Sequence, residues 1–165
     1  MPTIALINGH AFAGGFLLAM CHDYRIFNPS RGLMCLNELD LGVALKPAMS
    51  SILKQKLSAQ TYRTVILEAT RFNGKSALQH GIVDALGGWD DVKKFVDEKK
   101  LCEKGKTGIY GMMKREMYKE TVVLLDAHDD QEVRQEEEKK EDDGRKEIAR
   151  RIVIAWETKS PSVKL

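Results

Sequence analysis

Up to about Gly105, apolar positions come in short bursts broken by glycine, asparagine or proline; beyond it, charged and apolar positions follow one another at helical spacing. Thr3-Ile4-Ala5-Leu6-Ile7, ended by Asn8-Gly9, predicts a buried strand closed by a turn. Tyr24-Arg25-Ile26-Phe27, ended by Asn28-Pro29, predicts another. Between them Phe16-Leu17-Leu18-Ala19-Met20 predicts a short helix. Strand, glycine turn, helix, strand is a β-α-β unit, which implies parallel strands joined by a right-handed crossover. Gly32 to Leu36 and Gly42 to Ala44 predict further strands. From Pro47 the pattern turns helical, with helices over 48–57 and 59–69, the second capped by Ser58. Ser76 to Gly81 predicts a short helix stopped by glycine, and Ile82-Val83-Asp84 a short extended piece. Asp90-Asp91 opens a helix reaching about Lys100, with acids at its electropositive end.

The change in pattern divides the chain into a core over 1–104 and a helical region over 105–165. Two long helices are predicted in the second part, the latter roughly Gln131 to Lys159. Its run of charges from Arg134 to Asp143 mixes acids and bases at short spacing, as a solvated helix face does. Ile148, Ile152, Ala155 and Trp156 recur at helical spacing, so this end is expected to dock on a core or on a neighbouring subunit.

Composition narrows the class. The 165 residues are 43% hydrophobic and 30% charged, which suits a globular protein. A formal net charge of +2 is too balanced to imply nucleic acid or membrane as a partner. No apolar run approaches the roughly 18 to 20 residues needed to span a bilayer, and the opening MPTIALINGH lacks a secretory pattern, so an intracellular protein is expected. Cys21, Cys35 and Cys102 form no CxxC pair and read as reduced structural thiols; the four histidines show no ligand spacing, so no metal site is expected.

Two stretches carry candidate chemistry. Gly14-Gly15 stands directly before the apolar helix, although glycine inside a helix costs about 1 kcal/mol relative to alanine. A backbone without side chains, at a helix amino terminus with free N–H groups, suits negative charge on an oxygen; close helix packing explains the pair as well. No GK[ST] follows, and the spacing is not GxGxxG, so neither a P-loop nor a dinucleotide site is indicated. Glu38, in Leu36-Asn37-Glu38-Leu39-Asp40-Leu41-Gly42, is flanked by apolar residues after a predicted strand. A carboxylate among apolar side chains is a usable base and, once protonated, a usable acid. The alternative is a loop acid satisfied by backbone N–H groups.

The order NGHAFAGGFLLAMCHDYRI, LNELDLGV and SALQHGIVDAL resembles the carboxy-terminal half of the crotonase superfamily, the enoyl-CoA hydratase/isomerase fold. The first two motifs are most similar to Δ3,Δ2-enoyl-CoA isomerases, particularly those of fungal and plant peroxisomes. The resemblance implies an α/β fold, a partial β-β-α spiral followed by carboxy-terminal helices. It also implies that Gly14 N–H is one arm of an oxyanion hole, that Ala13 and Gly15 shape its turn, and that Glu38 is the catalytic base and acid. Leu17 falls where hydratases place a second glutamate, and Leu39 is expected to line the acyl pocket or the core, as are Leu41 and Leu45. Asp40 is expected at the surface or behind the site.

Moving a double bond needs one group that removes a proton and returns it nearby, whereas hydration needs two carboxylates to manage a water. The resemblance with Leu17 therefore implies an isomerase that shifts a 3-enoyl-CoA to 2-trans-enoyl-CoA in fatty-acid β-oxidation. A hydratase or other crotonase-type enzyme is the second reading, and a catalytically incompetent, truncated acyl-CoA-binding relative the third, because family members extend further at the amino end. The implied partner is an acyl-CoA thioester, coenzyme A being part of the substrate and no separate cofactor being required; homo-oligomers, trimeric or hexameric, follow by analogy. Peroxisomal location is implied, with mitochondrial or cytoplasmic location as alternatives. The final Ser162-Val163-Lys164-Leu165 approaches the Ser-Lys-Leu peroxisomal address but carries valine where a small residue is expected, and an ordinary frayed end reads equally well.

Overall fold

The computed structural model describes residues 1–159. The Val-Lys-Leu end lies outside the described residues. Met1–Leu125 forms one compact unit and Asp126–Leu165 a second.

Strand β1 (Ile4–Ile7) runs into β2 (Ala11–Phe12), then helix α1 (Gly14–Met20); β3 (Tyr24–Phe27) and β4 (Met34–Cys35) repeat the order. β1 and β3 pair in parallel with Ile4 opposite Tyr24, and β2 and β4 pair in parallel in a second sheet with Ala11 opposite Met34. Each circuit of the chain thus adds one strand to each of two sheets, which is a β-β-α spiral. The corners stack as well: Asn28 N–H donates to Ile7 O at 2.9 Å, and Asn28 Nδ2 to Asn8 Oδ1 at 2.8 Å. The corners are so close that a Cβ on Gly32, whose φ is +81°, would lie 2.2 Å from the Gly9 carbonyl.

After β4 come α2 (Pro47–Lys56), α3 (Ala59–Leu67) and α4 (Gly74–Gln79), then β5 (Ala85–Leu86), which adds to the first sheet beside β3. Ser58 caps α3 by accepting from Thr61 N–H, as its position predicts. α5 (Trp89–Glu98), α6 (Leu101–Lys104), α7 (Ile109–Met117) and α8 (Lys119–Asp126) complete the unit, and α9 (His128–Lys159) forms the other. The core holds Phe16, Met20, Phe27, Met34, Leu53 and Phe72, while Ile26, Phe95 and Leu101 form a second cluster under α5. Within the first unit the buried Arg25 is held on three sides: Nε donates to Ile82 O at 2.7 Å, Nη1 to His22 O at 3.1 Å, and Nη2 meets Asp84 at 3.0 Å. A buried charge is tolerated only when paired and hydrogen-bonded in this way.

Three expectations need correction, and one element was missed. β2 was not anticipated, since two residues carry no period. Gly42 to Ala44 is not a strand: Gly42 adopts φ +66°, and Val43 N–H donates back to Glu38 O at 2.9 Å, which closes a turn. The short extended piece expected at 82–84 is a turn, with the N–H groups of Ile82 and Val83 bonded back to Ala77 O, and the strand that follows is Ala85–Leu86. In the tail, the first long helix is interrupted at Tyr118, which packs onto the core. Ile148, Ile152, Ala155 and Trp156 are exposed along α9.

Candidate active site

The parallel pairing of β2 with β4 puts their carboxy-terminal ends side by side. Ala13 N–H donates to Cys35 O at 2.9 Å, carrying the ladder one step beyond the strands. From there one chain turns into α1 through Gly14, and the other continues through Leu36 and Asn37 to Glu38. Gly14 and Glu38, far apart in sequence, therefore leave the same sheet end on neighbouring strands.

Ala13 is the residue before α1, with φ 46° and ψ −117°, a conformation that disfavours any side chain with a Cβ. It is held there at both ends: its N–H by Cys35 O and its carbonyl by Leu17 N–H at 3.1 Å. The turn leaves the N–H groups of Gly14 and Gly15 without a backbone acceptor among the described residues. Both glycines are exposed, and a Cβ on either would meet no atom within 4 Å. Close packing within this chain is thus not the reason for the pair, and the anion-site reading keeps its physical basis.

Glu38 opens the turn after β4, and its carbonyl, which accepts from Val43 N–H, fixes its backbone. The side chain lines a cavity of about 180 Å³ whose other walls include Leu36, Leu39, Val43, Leu45, Ile66 and Leu67. Its Oε2 is buried and has no hydrogen-bond partner among the described residues, as is also true of the neighbouring Asn37 Oδ1. The alternative of a loop acid satisfied by backbone N–H groups fails for that oxygen. Buried acceptors without partners are costly, and each one in a native protein calls for an explanation, a catalytic role among them. Nearby, burial pushes the Cys35 thiol up, Arg71 offsets part of this, and the charges of Asp40 and Glu38 add to it.

Of the residues singled out in the sequence, Ala13, Gly14, Gly15 and Glu38 share this sheet end. Leu39 lines the Glu38 cavity and is more than half exposed, at 55%. Leu17 lies in the core under α1, beside Phe16 and Leu36, and is not among the cavity residues. Asp40 and Leu41 are exposed. Sequence reasoning missed the wall supplied by α3, Ile66 and Leu67; its one signal was the Ser58 cap, which fixes where that helix starts and hence which residues end it. Among the described residues no group of three histidine, cysteine or acidic side chains is arranged to hold a metal ion, and no helix is long and apolar enough to cross a membrane.

A parallel two-sheet spiral, with a glycine turn and an apolar-walled glutamate at the ends of neighbouring strands, defines a crotonase-type fold. The model of the family described as Enoyl-CoA hydratase/isomerase matches residues 1–155, and the chain belongs to that family. Enoyl-CoA delta isomerase 2, peroxisomal, of Arabidopsis thaliana is 30% identical over 132 residues, covering 76% of this chain and 55% of that protein. The solved structure of human mitochondrial delta3-delta2-enoyl-CoA isomerase is similar with a TM-score of 0.68 and 27% identity, over 80% of this chain and 52% of the human one. An enoyl-CoA hydratase from Mycobacterium ulcerans shares the fold, with a TM-score of 0.65 at 24% identity over 76% of this chain and 55% of its own. The chain spans about half the length of the curated relatives it matches.

Proposed function

We propose that the protein is a Δ3,Δ2-enoyl-CoA isomerase acting on acyl-CoA thioesters in fatty-acid β-oxidation. The observation that carries this is the buried, unpartnered Glu38 Oε2 in a cavity walled otherwise by apolar side chains, just past the strand next to the one that leads into Gly14. Glu38 takes a proton from C2 of a 3-enoyl-CoA, Gly14 N–H donates to the thioester oxygen as charge builds on it, and Glu38 returns the proton at C4. One oxyanion donor is worth roughly 3 to 4 kcal/mol in such a step. With Leu17 buried in the core where a hydratase carries a second carboxylate, Glu38 is the one carboxylate lining the cavity among the described residues, which favours double-bond migration over hydration. The resemblance to isomerases named for plant peroxisomes supports a peroxisomal location, and the human neighbour is named mitochondrial.

The purified chain incubated separately with 3-hexenoyl-CoA and 2-hexenoyl-CoA tests the reading. Conversion of the first to the 2-trans isomer without hydration of the second is the expected result. Hydration of 2-hexenoyl-CoA would make it a hydratase, and binding of either without turnover would overturn the catalytic assignment.

A further inference from the structure

A second cavity, of about 370 Å³, lies where α2 approaches the start of β3 and α7; its wall includes Asp23, Gln55, Lys56, Tyr110, Lys114 and Tyr118. Three of the charges about it are engaged. Asp23 accepts from Thr3 N–H at 2.8 Å and pairs with Lys114 at 2.7 Å, while Arg25 is committed to Asp84 and two main-chain carbonyls. Lys56 differs. Its Nζ donates to His22 O at 2.6 Å and sits 5.1 Å from the centre of the Tyr118 ring, and no carboxylate lies within ion-pair distance among the described residues. Gln55 Oε1, in the same wall, is buried without a partner.

Burial, followed by the repulsion of Arg25 and in smaller measure Lys114, brings Lys56 down to about 8, against the opposing pull of Asp23 and Asp84. Near pH 8 about half of the Lys56 amines are therefore neutral, against fewer than about one in a hundred for an ordinary lysine. A lysine desolvated beside another cation is the kind that acts as a nucleophile. Burial first, then Asp23, also raises the hydroxyls of Tyr110 and Tyr118, which stay protonated donors over the same range. Resting on the acyl-CoA reading above, we propose that Lys56 is a site of covalent acylation by acyl-CoA thioesters entering this second cavity. The neutral Nζ attacks the thioester carbonyl; the C–N bond forms as the C–S bond breaks, and coenzyme A leaves as the thiolate. The proton released by nitrogen goes to the thiolate or to water, giving an Nε-acyl-lysine and free coenzyme A with no change in oxidation state. The amide carries no charge, so the contact with the Tyr118 ring loses its cationic partner.

The chain is treated at pH 7 to 10 with butyryl-CoA and, in parallel, with S-butyryl-N-acetylcysteamine, a thioester without the nucleotide; site occupancy is read by peptide mass spectrometry. Lys146 is the internal comparison, exposed and raised by its pairing with Asp142 at 2.6 Å. Lys56 should react at least about tenfold faster than Lys146 at pH 8, its rate levelling above that pH while that of Lys146 goes on rising. The Lys56→Arg chain, shown by circular dichroism to fold, should lose only that product. Equal or slower reaction at Lys56 with both thioesters overturns the proposal. The second thioester needs neither Glu38 nor isomerisation, so a failed isomerase assay leaves this result standing and a failed acylation leaves the isomerase reading standing.

Discussion

At Ala13, as at Ala69 and Lys100, the fold holds a non-glycine residue at positive φ, here with φ 46° and ψ −117°. Strain of this sort costs about 1 to 3 kcal/mol and persists only where the surroundings over-determine it, here through the bonds to Cys35 O and from Leu17 N–H. Ala13→Gly removes the strain but adds unfolded-chain entropy of about 0.5 to 1 kcal/mol. The difference leaves the variant more stable by about 1 kcal/mol, or a melting temperature higher by about 3 °C for a chain of this size. The next N–H along is that of Gly14, so a looser turn aims it less sharply, and isomerisation should slow while stability rises. Urea denaturation followed by far-ultraviolet circular dichroism gives the first quantity, and conversion of 3-hexenoyl-CoA the second. Equal or lower stability in Ala13→Gly would refute the strain argument, and a faster isomerase would refute its link to the site.

Gly32→Ala should cost about 3 kcal/mol or more and leave little folded protein on a thermal melt, because the new Cβ would fall 2.2 Å from the Gly9 carbonyl where the spiral corners stack. Asp23 governs part of the acid limit. Burial raises its pKa, but bonding to Lys114 and to Thr3 outweighs burial and leaves it below its usual 3.8. A carboxyl depressed on folding contributes stability that is complete above its unfolded pKa and is lost as pH falls through the folded value. Stability should therefore fall below about pH 4 with a steepness that Asp23→Asn reduces, read from denaturation midpoints between pH 2 and pH 6.

The legible parts of the fold were those where burial and local period agree. β3 runs over Tyr24–Phe27 as its apolar burst predicts, and the Ser58 cap marks the start of α3. β2 was illegible because two residues show no alternation and its partner, Met34-Cys35, lies a full spiral circuit away. At the site, Glu38 and Gly14 were visible as residue types in suggestive neighbourhoods. That they leave the same sheet end depends on the β2–β4 register, and the apolar wall at Glu38 draws Ile66 and Leu67 from α3, neither of which is a local property of the sequence. The glycine pair illustrates the same limit: sequence left packing and anion binding level, and only the open space around both Cβ positions separates them. In the tail, helical spacing of Ile148, Ile152 and Trp156 revealed the helix but not what that face meets, since spacing records a period and not a partner.

The most direct test of the account is the rate at which Glu38→Gln converts 3-hexenoyl-CoA to 2-trans-hexenoyl-CoA, beside the unsubstituted chain. Glutamine matches glutamate in shape but cannot take a proton, so the variant should melt at nearly the same temperature and lose on the order of 10²- to 10⁴-fold in rate. Near-normal turnover by a folded Glu38→Gln chain would contradict the assignment of Glu38 as the base and with it the mechanism.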